Sequence, residues 1–231
     1  LIIGLLPSFV WVYFFIREDE DHPEPKRLIL YAFLAGAIST FFVIGPQTAL
    51  NDLLEEFGIH QYSFGSFIFL GAIEEIFKFL AVYIAVARRK DFDEPVDAMI
   101  YMIVAALGFA AVENVASVFN QANEIFGGER TVEVASLRFI GATLLHSLSS
   151  AFVGYYWGMA TAKIKEGAAM LEKRNFWSYI VEGIGIGTLL HAIFNSLILI
   201  YGPETLVATG VLVAAAFFVL NDFEKLKTIS S

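Results

Sequence analysis

The chain has 231 residues, 57% of them hydrophobic and 17% charged, with a formal net charge of -9 and no cysteine; its mean hydropathy is +0.66. A soluble domain is about half apolar and a quarter charged, so this is the composition of a polytopic, all-α membrane protein. The lack of cysteine excludes disulfides, thiolate metal sites and a cysteine nucleophile, and leaves histidine as the nitrogen ligand to consider. The acids gather in particular loops, and nucleic acid is not an expected partner.

A membrane-spanning helix needs about 20 mostly apolar residues. Seven segments are predicted to span: 1–16, 28–50, 62–87, 97–120, 135–162, 177–201 and 204–221. The first lacks a basic lead and runs into REDED rather than a small-residue cleavage site, which predicts an anchor helix and not a signal peptide. Pro7 and Pro46 lie inside the first two segments and are candidate kinks. The third contains GAIEEIFKFLAVY, residues 71–83, with Glu74, Glu75 and Lys78. One charge at the centre of a bilayer costs on the order of 3 kcal/mol, so three this close together require partners or a task.

The fourth segment carries Glu113 and Asn114 in GFAAVENVASV and the fifth His146 in TLLHSLSS. The sixth carries His191 and Asn195 in GIGTLLHAIFNS, and only Gly202-Pro203 separates it from the seventh. With no internal repeat, low-complexity stretch or second domain, residues 1–231 are expected to form a single transmembrane bundle with its catalytic core in 62–201. The loops after segments one, three and five, with the C-terminal tail, hold twelve Lys and Arg, whereas the loops after two, four and six hold only Arg130. This bias predicts an outer N-terminus and a cytoplasmic C-terminus. The outer loops are acidic, with Asp52, Glu55, Glu56, Glu124, Glu129 and Glu133, and read as solvated surface.

Polar side chains at membrane depth must face protein or a water-filled cavity. Counted from the outer ends of their helices at about 1.5 Å per residue, Glu74, His146, His191 and Glu113 lie roughly 18, 16, 15 and 10 Å deep, in one slab. Gly183, Gly187, His191 and Asn195 form one stripe of the sixth helix, and Arg138, Ala142, His146, Ser150 and Gly154 one of the fifth; small residues there let a neighbouring backbone approach. Lys78 follows Glu74 by four residues and Glu75 by three, and can pair with either. The two glutamates point about 100° apart, so one can face the cavity while the other bonds to a neighbouring helix. Alone, Glu74–Lys78 also fits a packing pair, Asn114 and Asn195 fit interhelical hydrogen bonds, Arg138 a snorkelling interface residue, and Asp97 and Glu182 caps. The joint occurrence of Glu74 and Glu75 on the third helix, Glu113 on the fourth and His146 and His191 on the fifth and sixth points to a reaction site.

The order EEIFK, GFAAVEN, an isolated intramembrane histidine, then HAIFN resembles the PrsW family of intramembrane proteases, relatives of the CAAX-prenyl protease and bacteriocin-processing superfamily. The resemblance covers about 140 residues, from the third helix through the sixth. It implies functional roles for Glu74, Glu75, Lys78, Glu113, Asn114, His146, His191 and Asn195. It also implies cleavage of a membrane-anchored, anti-sigma-factor-like protein in a prokaryotic cell membrane, on its outer side, as a signalling step. In the CAAX relatives the first motif ends in Arg one position later, and the second carries His where this chain has Glu113.

Two mechanisms fit these residues. In one, Glu74 or Glu75 is general base to a water while His191 and Asn195 polarise the scissile carbonyl, with no metal. In the other, His146, His191 and Glu113 hold Zn²⁺ with an open position and a third-helix glutamate activates the water. A proton- or ion-coupled transporter is the reading from another class, although inverted repeats and broken helices are absent from the sequence. A seven-span zinc hydrolase of lipid amides is the enzymatic rival.

Overall fold

Seven α-helices account for most of the residues described in the computed structural model: 2–19, 22–124, 141–165, 175–202 and 206–230. They are α1 (Ile2–Ile16), α2 (Lys26–Glu56), α3 (Phe64–Val86), α4 (Pro95–Glu124), α5 (Ala142–Lys165), α6 (Phe176–Tyr201) and α7 (Leu206–Ser230), with one 3-10 turn after α1. The helices coincide with the seven expected segments, and α7 runs further than the hydropathy suggests because its last turns are polar but still helical. Among the expectations above, Arg130, Arg138, Glu129, Glu133, Pro203 and the side chain of Glu124 lie outside the described residues.

Local chemistry sets the helix ends. The Ser63 hydroxyl accepts from the Ser66 amide at 3.2 Å to cap α3, and Asn175 caps α6 by accepting from the Ser178 amide at 2.9 Å. The Asp97 carboxylate accepts from the amides of Asp93 and Glu94, each at 2.8 Å, and so closes the first turn of α4. These contacts satisfy amides that a helix start leaves without an internal acceptor. After α2 the chain turns at Gly58, whose φ of 72° is costly for any residue with a Cβ.

Four helices are long and apolar enough to cross a membrane: Lys26–Glu56, Pro95–Phe119, Phe176–Tyr201 and Leu206–Ile229. The protein is an integral membrane protein. At 23 and 24 residues, α3 and α5 have the length to span. They fall short in composition, because α3 carries Glu74, Glu75 and Lys78 and α5 is rich in Ser, Thr and Gly.

In α4 the most apolar stretch is 94% buried, against 28 to 39% in the other three spans, which makes α4 the central helix. Around the site, α2 packs on α3, α3 on α6, α6 on α5, α5 on α4 and α4 back on α2, a closed ring of five helices flanked by α1 and α7. Glycines set the close crossings. Any Cβ on Gly36 or Gly108 would run into the carbonyls of Ala105 and Phe33, so α2 and α4 touch backbone to backbone. On Gly187 it would lie 2.6 Å from the Ser149 carbonyl, which places the Gly183–Gly187 stripe of α6 against α5.

Candidate active site

Glu74 and Glu75 leave adjacent positions of α3 in different directions and meet different neighbours. Glu75 is wholly buried and engaged on both oxygens. Its Oε1 accepts from Lys78 Nζ at 2.8 Å, and its Oε2 accepts from the Ser150 hydroxyl of α5 at 2.6 Å. An ion pair this deep survives only when its remaining lone pairs and protons are also bonded, and Ser150 and His146 provide those bonds.

Lys78 Nζ lies 2.9 Å from His146 Nδ1 and 4.6 Å from the centre of the Phe109 ring. An ammonium has only donors, so Nδ1 of His146 accepts and Nε2 carries the proton. That proton goes to Glu113 Oε2 of α4 at 2.8 Å. His146 is thus fixed in tautomer and ring orientation by one group on each nitrogen.

Glu74 is different. Its Oε1 accepts from the Gln47 amide of α2 at 3.0 Å. Its Oε2 has no hydrogen-bond partner among the described residues, and neither has His191 Nδ1. These two atoms face each other at 3.6 Å, and Oε2 is 3.7 Å from His146 Nδ1 and 3.8 Å from Lys78 Nζ. The two imidazoles meet edge to face with centroids 5.1 Å apart. Gly71, one turn before Glu74, leaves the room that His191 occupies: a Cβ there would lie 3.3 Å from the imidazole Nδ1.

Glu74, His146 and His191 each offer a ligand atom within 4.8 Å of the others, the metal-capable group among the described residues. Zinc bonds of about 2.0–2.2 Å to nitrogen and oxygen in tetrahedral geometry separate two ligand atoms by roughly 3.3–3.6 Å. The 3.6 and 3.7 Å separations are close to that range. The orphaned oxygen and nitrogen, both buried, also need a partner that the neighbouring side chains do not provide. The donor set therefore fits a metal, with Glu74 as its carboxylate where the expected set had Glu113, on the condition that Lys78 Nζ yields the single lone pair of His146 Nδ1 that it now holds.

The other expected residues are placed as follows. Glu113 holds the second nitrogen of His146, and its side chain is 29% exposed, the most open of the three glutamates. Asn114 is buried and donates to Thr143 at 2.9 Å, joining α4 to α5. Asn195 is half-buried four residues beyond His191. No hydrogen bond joins Asn195 to Glu74, Glu75, Lys78 or either histidine among the described residues. Sequence reasoning missed Gln47, which carried one signal, a polar residue directly after a proline in mid-helix.

A family model described as "PrsW family intramembrane metalloprotease" matches residues 24–221. The chain is 26% identical over 203 residues to Protease PrsW of Clostridioides difficile, covering 86% of this chain and 79% of that protein. It is 28% identical over 196 residues to Protease PrsW of Geobacillus kaustophilus, covering 85% and 78%. To Protease PrsW of Bacillus subtilis it is 28% identical over 157 residues, 68% of this chain and 66% of that protein. No solved structure matches the chain. These similarities favour peptide-bond hydrolysis over ion-coupled transport.

Proposed function

The chain belongs to the PrsW family of intramembrane metalloproteases, and from that premise we propose that Glu74, His146 and His191 hold a zinc ion at which a membrane-anchored protein is cut. The observation that carries this reading is the pair of buried atoms, Glu74 Oε2 and His191 Nδ1, which face each other without hydrogen-bond partners among the described residues. When bound, zinc supplies a Lewis acid for the scissile carbonyl and makes water nucleophilic near neutral pH.

The chain's own residues do the rest. Glu75 is committed to Lys78 and Ser150 and is not free to take a proton. Glu113 accepts the Nε2 proton of His146 and so keeps Nδ1 turned toward Glu74 and His191. Asn195, half-buried on the same face of α6 as His191, presents its amide to the developing oxyanion. Lys78 places positive charge beside both α3 glutamates, and its bond to His146 Nδ1 gives way where zinc takes that nitrogen.

The basic residues favour an outer N-terminus and a cytoplasmic C-terminus, which puts the site in the outer half of the bilayer. The resemblance implies an anti-sigma-factor-like membrane protein as substrate, and this orientation suits a cut near its outer end. Metal analysis of the purified protein tests the core of this reading: about one zinc per chain is expected in the wild type and loss of it in His191→Ala. A wild type that cleaves a single-pass substrate after exhaustive zinc removal would sink it.

A further inference from the structure

Glu74 has two oxygens in different situations, and a residue outside the four motif-bearing helices decides which is which. Gln47 is half-buried, whereas Ile44, Gly45, Pro46, Thr48 and Ala49 around it on α2 are exposed. Its amide nitrogen donates to Glu74 Oε1 at 3.0 Å. Oε2 is left turned toward His191 Nδ1, His146 Nδ1 and Lys78 Nζ, at 3.6, 3.7 and 3.8 Å.

The last torsion of a glutamate side chain is broad and poorly determined by rotamer preference. Without an anchor the Glu74 carboxylate can turn and bring either oxygen, or a bidentate face, to the imidazoles. Hydrogen bonds to a liganding carboxylate commonly provide that anchor. Pro46 precedes Gln47 within α2, and proline cannot donate a backbone hydrogen bond to the turn before it. The helix at this point is therefore less constrained by its own ladder, and Gln47 ties it to α3 through Glu74.

We infer that Gln47 is a positioning residue: it holds Glu74 Oε1 so that Oε2 alone is presented to the zinc set. The inference rests on the zinc reading above. Outer partners of metal ligands typically contribute 10–100-fold to metal affinity or activity.

The test is zinc affinity of the full-length protein in detergent, by competition with a chelator, for wild type, Gln47→Met, Gln47→Asn and Glu74→Gln, alongside the melting temperature of each zinc-stripped protein. Methionine keeps the shape of the glutamine side chain and removes the donor; asparagine keeps the amide on a shorter stem that does not reach Glu74. The expected result is a Kd about 10–100-fold weaker for both Gln47 variants, each still folded when stripped of zinc, with at most a small fall in melting temperature from the lost α2–α3 bond. A purely packing role would lower the melting temperature and leave the affinity of the folded protein unchanged. If the methionine variant does not fold, the asparagine variant decides. Wild-type zinc affinity in Glu74→Gln would overturn the zinc set and the role of Gln47 with it. Loss of zinc in Glu74→Gln beside wild-type affinity in the Gln47 variants would overturn the role of Gln47 alone.

Discussion

Two adjacent carboxylates on one helix divide the work between holding the bundle together and facing the reaction. Glu75 and Lys78 form a buried ion pair whose further bonds reach Ser150 and His146. Removing one member of such a pair leaves an uncompensated charge and costs about 3–5 kcal/mol, whereas removing both together is often close to neutral. Glu75→Gln and Lys78→Met are therefore each expected to lower the melting temperature, and the double variant to melt above either single one. Strictly additive losses in thermal unfolding would contradict a charge-pair role. That three charges in an apolar run needed partners was legible in the sequence. Which glutamate took which partner was not, because the 100° between them has no reference direction until α2, α5 and α6 are placed around α3. Gln47 was hidden for the same reason: a glutamine in an apolar helix has no meaning until the helix beside it is known.

At the level of helices, close crossings are bought with glycine. Gly36 and Gly108 let α2 and α4 touch backbone to backbone, and the buried Ala105 carries no bulk at that crossing. Gly36→Ala would push the two helices apart, and overpacking of this kind typically costs about 1–3 kcal/mol. Gly45, nine residues on in the same helix, has nothing within 4 Å of a Cβ. There alanine is expected to leave stability unchanged or raise it by about 0.5–1 kcal/mol through helix propensity. Thermal unfolding of the two variants side by side checks both directions. The small-residue stripe at Gly183 and Gly187 could be read ahead of the structure because it repeats every four residues. The α2–α4 crossing carries a similar repeat on α2, Ala32, Gly36 and Thr40, but no charged or polar motif pointed to it, and its partner Gly108 on α4 stands alone as a glycine.

For the whole molecule, the order of helices around the site differs from their order in the chain. α3 neighbours α2 and α6, whereas α4 lies between α2 and α5. Periodicity identifies helices and their polar faces but carries no information about such neighbours, which is why a common level for the polar residues could be expected and their contacts could not. Orientation is testable with little interference, since the chain has no cysteine. A cysteine replacing His60, exposed after α2, should react with a membrane-impermeant maleimide on intact cells, and one replacing Lys90, exposed after α3, only after permeabilisation. The reverse labelling pattern would invert the proposed topology.

The poor apolarity of α3 also bears on how the protein is made. Each charged residue at mid-helix opposes release from the translocon into lipid by about 2.5–3.5 kcal/mol, and α3 carries three. Lys78 and Glu75 lie on the same helix and can offset each other as soon as α3 forms. The groups that bond to them from outside, Ser150 and His146, are about 70 residues further along the chain. A nascent α3 is therefore best retained beside protein until α5 has been synthesised, a demand on membrane insertion that follows from where its bonding partners lie in the chain.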